Sequence, residues 1–325
     1  MKSFVSQLTN STTMKYKLKA YPILEFGKRK DVNGNPHQED SIYPPLATDP
    51  SGSTLFMVCD GMGGHEAGEV ASLTVCDAIS RSIQNDGHDM EGLFTNEDLS
   101  NALDEAYLAL DDKDNGAEKK MGTTLTLLKL HDNGATIAHI GDSRVYHIRP
   151  GKFENDTQIL FVTEDHSLVN RLVKAGEMTP EEARHSKKKN IITRAMQPGD
   201  SRCEADIALI TDILPGDYFY LCSDGMLEQD EMEDGSALKR IFSNEIITPE
   251  EKVKILRGAT ANNTDNHSAY IIHILEIVQD NIIPNSPNNL SLENKQPKTD
   301  FHQVKTSKKT SYKSVIEKIF TFFKS

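Results

Sequence analysis

The sequence lacks the features that would point to a nucleic-acid-binding or membrane-spanning protein. Its 325 residues hold 36 basic and 49 acidic side chains, a net charge of −13, whereas nucleic-acid binding needs clustered Lys and Arg. No apolar run is long enough to cross a bilayer, and the first residues lack the apolar core of a signal peptide. We therefore expect a cytoplasmic protein with no nucleic-acid partner.

Cysteine is also scarce, and its spacing argues against a zinc or redox site. The four cysteines show no paired zinc spacing and no redox motif; they are Cys59, Cys76, Cys203 and Cys222. Two of them, Cys59 and Cys222, lie inside apolar, strand-like runs. This placement predicts buried, reduced thiols.

What the sequence does contain is an aspartate where a buried strand meets a glycine-rich turn. Asp60 follows the apolar run 56–59 and precedes three glycines, and residues 65–83 then place apolar side chains at helical spacing. We expect a strand, a tight turn and a helix. A carboxylate at the end of a buried strand is costly unless something pairs with it. Taken alone, Asp60 could also simply cap the helix.

Strand-like and helix-like segments alternate from about residue 14 to 278, without a sequence repeat or a low-complexity break. The run 121–130 is expected to be a strand, and 135–149 to be two strands joined by a hairpin turn at Gly141-Asp142. Helices with charged faces towards water are expected at 97–113 and 166–186. Bursts of mostly antiparallel strands between long helices predict helices packed on sheets.

Further carboxylates share the setting of Asp60. They are Asp142 in HIGDSR, Asp224 after FYLCS, Asp265 before the strand-like AYIIHIL, and the pair Glu39 and Asp40 before another apolar segment. Each alone could be a turn or cap residue. Converging carboxylates would repel one another without a cation, and oxygen ligands suit magnesium or manganese. The pattern therefore predicts bound divalent cations, a pair of which can activate a water for in-line attack on a phosphoryl group.

Five short motifs in series carry a family resemblance. DGMGGH, MGTTL, GDSR, SDG and DN follow one another between residues 60 and 266. In this order they resemble the metal-dependent serine/threonine protein phosphatases of the protein phosphatase 2C type, and look most like the bacterial branch of that family. The resemblance covers roughly residues 16–278.

The resemblance implies an α+β fold, a four-layer α-β-β-α sandwich of two antiparallel sheets flanked by helices. It also implies hydrolysis of phosphoserine or phosphothreonine in proteins by a metal-activated water at a binuclear centre. Two or three manganese or magnesium ions would be the cofactors. The implied ligands are Asp60 as the bridge, the Gly61 carbonyl, Asp224 and Asp265 on the other metal, and Glu39 and Asp40 through coordinated waters. Asp142 is similar to the aspartate that holds a third, weaker metal in bacterial members, with a plain turn residue as the alternative.

Two candidate catalytic residues follow from the same resemblance. Arg29 matches the arginine that grips the substrate phosphate, because a guanidinium binds two phosphate oxygens at once. In this chain KDVNGNP looks like an insertion before the acidic pair, so a surface arginine is the alternative. Met62 stands where some members carry a histidine as general acid. His65, as in bacterial relatives, either takes that role or orients the turn or a coordinated water.

The ends of the chain and residues 168–196 complete the expected organisation. Segment 168–196 resembles the flap that overhangs the cleft, with a solvated helix and loop as the alternative. We expect an N-terminal extension (1–14), a catalytic domain (15–278), a disordered linker (279–310) and a short amphipathic basic helix (311–325). Residues 295–325 carry eight lysines and two acidic residues. This tail either docks on the acidic domain or binds an anionic membrane surface or a partner groove.

The expected partners are phosphoserine and phosphothreonine proteins, in signalling opposite a serine/threonine kinase, and we expect a monomer. A phosphoprotein-binding pseudophosphatase and a small-molecule phosphatase on the same scaffold are the alternatives. None of the metal aspartates is missing, which argues against the pseudophosphatase.

Overall fold

A computed structural model describes residues 12–30, 33–63, 67–85, 94–114, 116, 120–200, 202–243 and 247–281. Within these ranges eleven strands and seven helices follow one another. The strands are β1 (Thr12–Glu25), β2 (Asp40–Tyr43), β3 (Leu55–Met62), β4 (Gly122–Thr123), β5 (Leu125–His131), β6 (Gly134–Ile140), β7 (Arg144–Arg149), β8 (Gln158–Val162), β9 (Asp206–Ile210), β10 (Tyr218–Cys222) and β11 (His267–Asn281). The helices are α1 (Ala67–Asn85), α2 (Asn96–Lys113), α3 (Leu168–Lys174), α4 (Pro180–Arg184), α5 (Asp230–Glu233), α6 (Ser236–Phe242) and α7 (Pro249–Thr260).

Two antiparallel sheets form the middle of the molecule. The first has the strand order β1-β11-β10-β7-β8, and the second has the order β2-β3-β5-β6-β9, with β4 paired to β3. Residues 13–280 make one compact unit. None of the helices among the described residues is both long and apolar enough to cross a membrane.

The apolar run of β3 shows why one strand can be buried on both faces. Leu55, Met57 and Cys59 belong to the core between the second sheet and the helices α1 and α2. Phe56 and Val58 point the other way, into the core between the two sheets. Because side chains alternate along a strand, a strand covered on both sides needs an unbroken apolar run.

Helices also cover the outer face of the first sheet. Phe242 of α6 contacts Tyr218 and Tyr220 of β10, with ring centroids 4.8 and 6.5 Å apart. Between the sheets, the rings of Phe56 and Tyr270 meet edge to face at 5.2 Å. The order of layers is therefore helix, sheet, sheet, helix, and the predicted α-β-β-α sandwich is confirmed.

Three local predictions were wrong. The turn at Gly141-Asp142 does not close a hairpin, because β6 lies in the second sheet and β7 in the first, so the turn crosses between them. The expected strand 121–130 is interrupted at Thr124, between β4 and β5. The expected helix 166–186 consists of the two short helices α3 and α4, separated by Gly176 at φ +72°.

The outer bounds of the sandwich lie close to the predicted domain limits. Strand β1 begins at Thr12 and β11 runs to Asn281, a few residues beyond the expected domain 15–278. Residues 1–11 and 282–325, which hold most of the expected extension, the linker and the basic helix, lie outside the described residues.

Candidate metal centre

The acidic residues singled out in the sequence meet at one end of the sandwich. Asp40 opens β2 and is paired in register with Asp60 near the end of β3. Asp224 follows the end of β10, which pairs antiparallel with β11, and Asp265 lies just before β11 begins. Asp142 lies in the turn that crosses between the sheets. Strand ends of both sheets therefore bring these carboxylates to the same place.

Burial and mutual repulsion dominate the electrostatics of this cluster. Burial, and then the charges of its four aspartate neighbours, raises the pKa of Asp60 well above its ordinary value. Burial comes first for the others too and raises the pKa of Asp40 to about 7, that of Asp142 to about 8 and that of Asp224 to about 6. The aspartates must therefore either take up protons or bind cations that the protein does not supply.

Unsatisfied oxygens point to bound cations. Oδ1 of Asp40 and Oδ1 of Asp224 are buried and have no hydrogen-bond partner among the described residues. The other oxygen of Asp40 accepts a hydrogen bond from Ser223 Oγ at 2.9 Å. Buried polar atoms are almost always paired, and hard divalent cations bind carboxylate oxygens. The residues present therefore fit a divalent metal centre.

The backbone after Asp60 is packed so closely that Gly61 and Gly68 have no room for a side chain. A Cβ on Gly61 would lie 2.1 Å from the Gly68 carbonyl oxygen and 2.4 Å from that of Glu39. The Gly61 N–H donates to the Glu39 carbonyl at 3.1 Å. The Glu39 side chain also packs against Gly68, since a Cβ there would lie 2.6 Å from Oε1. These contacts place Gly61 and Glu39 at the edge of the acidic cluster.

Arg29 reaches the cluster despite the insertion. The Arg29 N–H donates to the Thr264 carbonyl at 2.8 Å, and Nη1 donates to both oxygens of Asp265 at 2.9 and 3.2 Å. Nη2 lies 3.9 Å from Glu39 Oε2, and the side chain is 60% exposed. Lys30 and Pro36, the first and last residues of the inserted segment, form an antiparallel bridge directly after Arg29.

Several residues that hold the centre in place had no predicted role. The Glu228 carboxylate accepts hydrogen bonds from the N–H groups of Thr264 and Asp265 at 2.7–2.9 Å. Asn266 accepts from the Glu39 N–H at 2.9 Å and donates to the His37 carbonyl at 2.8 Å. Asn266 belongs to the DN motif, which was the available signal. Glu228 has no comparable signal, because its partners are 36 and 37 residues away in sequence.

A cleft of about 460 Å³ runs from the aspartates to the segment 168–196, and Asp142, Asp224 and Asp265 line its inner end. Val169 of α3 and Ala183 of α4 line the far side. Segment 168–196 therefore lines the cleft together with the aspartates, and we call it the flap after the family resemblance. Two ion pairs connect it to the segment around α5, Arg184–Asp234 at 4.0 Å and Lys189–Glu233 at 3.7 Å.

A second group with metal-binding side chains lies apart from the acidic cluster. His139, His166 and Asp206 offer ligand atoms within 4.8 Å of one another. However, Arg194 Nη1 already lies 2.7 Å from Asp206 Oδ1, and the Gly141 N–H donates to Nδ1 of His166 at 3.1 Å. These contacts describe a hydrogen-bonded cluster whose cation is Arg194.

One predicted site residue cannot be placed. His65 lies outside the described residues, together with Gly64 and the inserted Asp31 and Val32. The seven predicted metal-site residues and Arg29 are all described, and they converge.

Comparisons with known proteins agree on one family. The family model described as Protein phosphatase 2C matches residues 26–257. Protein phosphatase PhpP of Streptococcus pneumoniae is 34% identical over 240 residues, which cover 70% of this chain and 88% of that protein.

Solved structures point the same way. The serine/threonine phosphatase PstP/Ppp of Mycobacterium tuberculosis superposes with a TM-score of 0.64 at 27% identity, over 80% of this chain and 99% of that one. A catalytic domain of PstP, solved in complex with 2 manganese ions, has a TM-score of 0.61 at 26% identity, over 81% of this chain and 100% of that one.

Proposed function

The chain belongs to the protein phosphatase 2C family and is a metal-dependent serine/threonine protein phosphatase, and we propose that its acidic centre holds two divalent cations. The observation that carries the proposal is the set of buried aspartates with raised pKa values, two of which have an oxygen without a hydrogen-bond partner in the part of the chain that the structure describes. Manganese and magnesium fit these ligands. The manganese ions in the PstP complex are consistent with that choice.

The individual roles that we propose are those that the family resemblance implies. Asp60 would be the ligand shared by both cations, which fits a carboxylate whose pKa is raised by the charges of all four other aspartates of the cluster. The remaining assignments are the Gly61 carbonyl to one metal, Asp224 and Asp265 to the other, Glu39 and Asp40 to coordinated waters, and Asp142 with Asp224 to a weaker third site. When bound, the cations lower the pKa of water and offset the negative charge of a phosphoryl group.

Arg29 is the proposed phosphate clamp. Its guanidinium lies at the rim of the cluster and is more than half exposed, so its outer N–H groups are accessible to a ligand. A phosphate dianion binds two parallel N–H groups of a guanidinium. Arg29 would therefore hold two nonbridging phosphate oxygens while the acidic residues hold the cations.

The cysteines that adjoin the acidic centre in sequence, Cys59 and Cys222, offer no competing nucleophile. Hydrogen bonding to Cys76, followed by burial, raises the pKa of Cys59 well above its ordinary value, and burial raises the pKa of Cys222 to about 12. Thiolates are therefore disfavoured at both positions. We propose direct attack by water without a covalent phosphoenzyme. Water, with or without His65, would protonate the leaving oxygen.

The test is hydrolysis of an aryl phosphate and of a phosphothreonine peptide, with and without manganese. The proposal predicts metal-dependent release of phosphate from both. Binding of the phosphopeptide without turnover would favour a pseudophosphatase. Turnover of small phosphate esters with none of any phosphopeptide would favour a small-molecule phosphatase. Activity retained after complete chelation would overturn the metal centre.

Substrates, setting and tail remain proposals of the same kind. We propose that the substrates are phosphoproteins modified by an opposing serine/threonine kinase, and that the protein acts as a cytoplasmic monomer. For the basic tail, retention on anionic vesicles at low salt separates the two alternatives. Equal retention of the full chain and of a chain lacking residues 282–325 would remove the membrane alternative. Docking on the domain and binding to a partner groove would remain.

A further inference from the structure

Both ends of the flap are held by one residue. The His166 carbonyl accepts hydrogen bonds from the Thr193 N–H at 2.7 Å and from Thr193 Oγ1 at 3.0 Å. Ser167 forms a bridge with Ile192, and the Leu168 N–H donates to the Ile191 carbonyl at 2.8 Å. The flap therefore leaves and rejoins the domain at a neck formed by residues 166–168 and 191–193.

The same residue holds the turn that carries Asp142. The His166 N–H donates to the Gly141 carbonyl at 2.8 Å, and its Nδ1 accepts from the Gly141 N–H at 3.1 Å. An Nδ1 that accepts a hydrogen bond leaves the proton of a neutral ring on Nε2. That N–H faces Asp206 Oδ2 at 3.1 Å, and the ring stacks on His139 with centroids 4.5 Å apart. Nδ1 thus faces the Asp142 turn, whereas Nε2 faces Asp206 Oδ2 and also lies 3.2 Å from Arg194 Nη1.

The opposite side of this turn is held by the second sheet. Gly141 has φ +108°, and a Cβ there would lie 2.6 Å from Thr124 Cγ2. The hydroxyls of Ser143 and Thr124 are 2.8 Å apart, and Thr124 Oγ1 accepts from the Asp60 N–H at 3.0 Å. The turn carrying Asp142 is therefore clamped between the strand of Asp60 and the ring of His166.

The Nε2 atom of His166 faces Asp206, which also binds the end of the flap. Arg194 follows the neck and donates to Asp206 Oδ1 at 2.7 Å, while Asp206 Oδ2 faces His166. Asp206 begins β9, an edge strand of the second sheet. It therefore ties both ends of the flap to a rigid element of the fold.

We propose that His166 is a positioning residue that serves two parts of the enzyme separately: Nδ1 fixes the Asp142 turn for metal binding, and Nε2 fixes the flap through Asp206. The inference rests on the proposed function of the acidic centre. It predicts that metal affinity and flap rigidity respond to different substitutions of the same residue.

Substitution of His166 by Asn or by Gln tests the roles of the two ring nitrogens separately. In His166→Asn the amide oxygen takes the place of Nδ1, so the bond from Gly141 is kept and the contact with Asp206 is lost. In His166→Gln the amide reaches the place of Nε2, so the contact with Asp206 is kept and the acceptor for Gly141 is lost. Asp206→Asn is the matched control, because it alters only the flap side of the ring.

Calorimetric titration of the metal-free full chain with manganese reads the first contact without relying on activity. We expect His166→Gln to weaken the weakest class of sites about tenfold, and His166→Asn and Asp206→Asn to stay within about twofold of wild type. The manganese concentration for half-maximal hydrolysis of the aryl phosphate should follow the same order.

Limited trypsin digestion reads the second contact, because Lys187 and Lys188 are exposed in the flap. His166→Asn and Asp206→Asn should be cut there about fivefold faster than wild type. Their KM for a phosphopeptide should rise while their KM for the aryl phosphate stays unchanged. His166→Gln should be cut at the wild-type rate.

Equal effects of the Asn and Gln variants on both readouts, or none, would overturn the inference, since His166 would then act only by packing. If His166→Gln does not fold, weakened manganese binding in Asp206→Asn overturns it instead. A wild-type protein without metal-dependent hydrolysis would fail at the proposed function, and the inference would fall with it.

Discussion

Strand β10 carries an aspartate at each end, and the two differ in what neutralises them. Asp217, just before the strand, is buried and accepts hydrogen bonds from His147 Nε2 and from Nε and Nη2 of Arg149, each at 2.9 Å, and from the Leu214 N–H. Burial alone would raise its pKa, but these bonds outweigh burial and lower it. The protein supplies all the partners of this carboxylate.

Asp224, two residues after the strand, is in the opposite state. Burial, followed by the charge of Asp265, raises its pKa to about 6, and no described residue forms a hydrogen bond with its Oδ1. The two aspartates share a strand and differ in their surroundings. A buried carboxylate with internal cations is part of the scaffold, whereas one among other carboxylates needs cations from solution.

The largest expected effect is the loss of activity when an aspartate of the acidic cluster is replaced. Asp224→Asn or Asp60→Asn should lower manganese-dependent kcat about a thousandfold, because too few ligands remain to hold two cations and orient them. Steady-state hydrolysis of an aryl phosphate across a manganese titration measures this. The metal-free variants should melt no lower than wild type, since each loses a repelling charge. Near-wild-type turnover at saturating manganese would contradict the binuclear assignment.

The matching substitution of Asp217, at the other end of β10, should lower stability and leave activity unchanged. Asp217→Asn leaves the Arg149 guanidinium without its buried counter-charge and should lower the free energy of unfolding by about 3 kcal/mol. Denaturant unfolding measures the loss. At temperatures where the variant is folded, its kcat and manganese dependence should equal those of wild type. The exposed Asp212→Asn, which also removes a partner of Arg149, is the control and should cost less than about 1 kcal/mol.

The sequence indicated one end of β10 and not the other. Asp224 could be found because SDG belongs to a series of motifs. Asp217 could not, because its partners on β7, His147 and Arg149, meet it only through strand pairing. The four-layer order was predictable for the same reason, through the family resemblance that those motifs carry, whereas the unbroken apolar run of β3 indicated only that this strand is covered on both faces.

What the sequence could not reveal are contacts made at a distance. The turn at Gly141 looked like a hairpin because a Gly-Asp pair between two strands has the same local signal whether the strands pair or separate. The insertion after Arg29 left two alternatives, and the bridge between Lys30 and Pro36 shows how a longer loop leaves its ends in place. Local patterns specify elements, and the packing of distant elements decides the geometry of the site.

Protonation of the acidic cluster should make the stability of the metal-free protein depend on pH. The folded, metal-free protein has raised pKa values at Asp40, Asp142 and Asp224, so between about pH 4 and 8 it binds more protons than the unfolded chain. These groups therefore cost stability as pH rises through that window. Asp217, whose pKa is lowered, contributes stability above about pH 4 and loses it only in more acidic solution.

Manganese should remove the cost, because cations replace protons on the carboxylates. We expect the difference in Tm between the manganese-loaded and the metal-free protein to grow by about 5 °C from pH 5 to 8. Using the difference cancels contributions that are the same in both samples. The growth should persist in Asp217→Asn and shrink in Asp224→Asn. A difference that does not change with pH would mean that the carboxylates do not titrate as a repelling cluster.

The smallest effect is expected from Arg29→Ala. Its partner Asp265 is intermediate between Asp217 and Asp224, because Arg29 supplies it with a cation from the protein and that cation is itself exposed. In Arg29→Ala the stability should change by less than about 1 kcal/mol, since exposed ion pairs contribute little. The manganese affinity should be equal to or tighter than that of wild type, because Asp265 loses a competing cation.

The KM of Arg29→Ala for an aryl phosphate should nevertheless rise about tenfold with kcat changed much less, because the guanidinium contacts the phosphate before the transition state as well as in it. Lys28→Ala and Lys30→Ala remove neighbouring charges and should leave KM within about twofold, which separates a specific clamp from general attraction of the dianion. Weaker manganese binding together with an unchanged KM would mean that Arg29 supports the metal loop, as Arg149 supports Asp217, and does not hold the substrate.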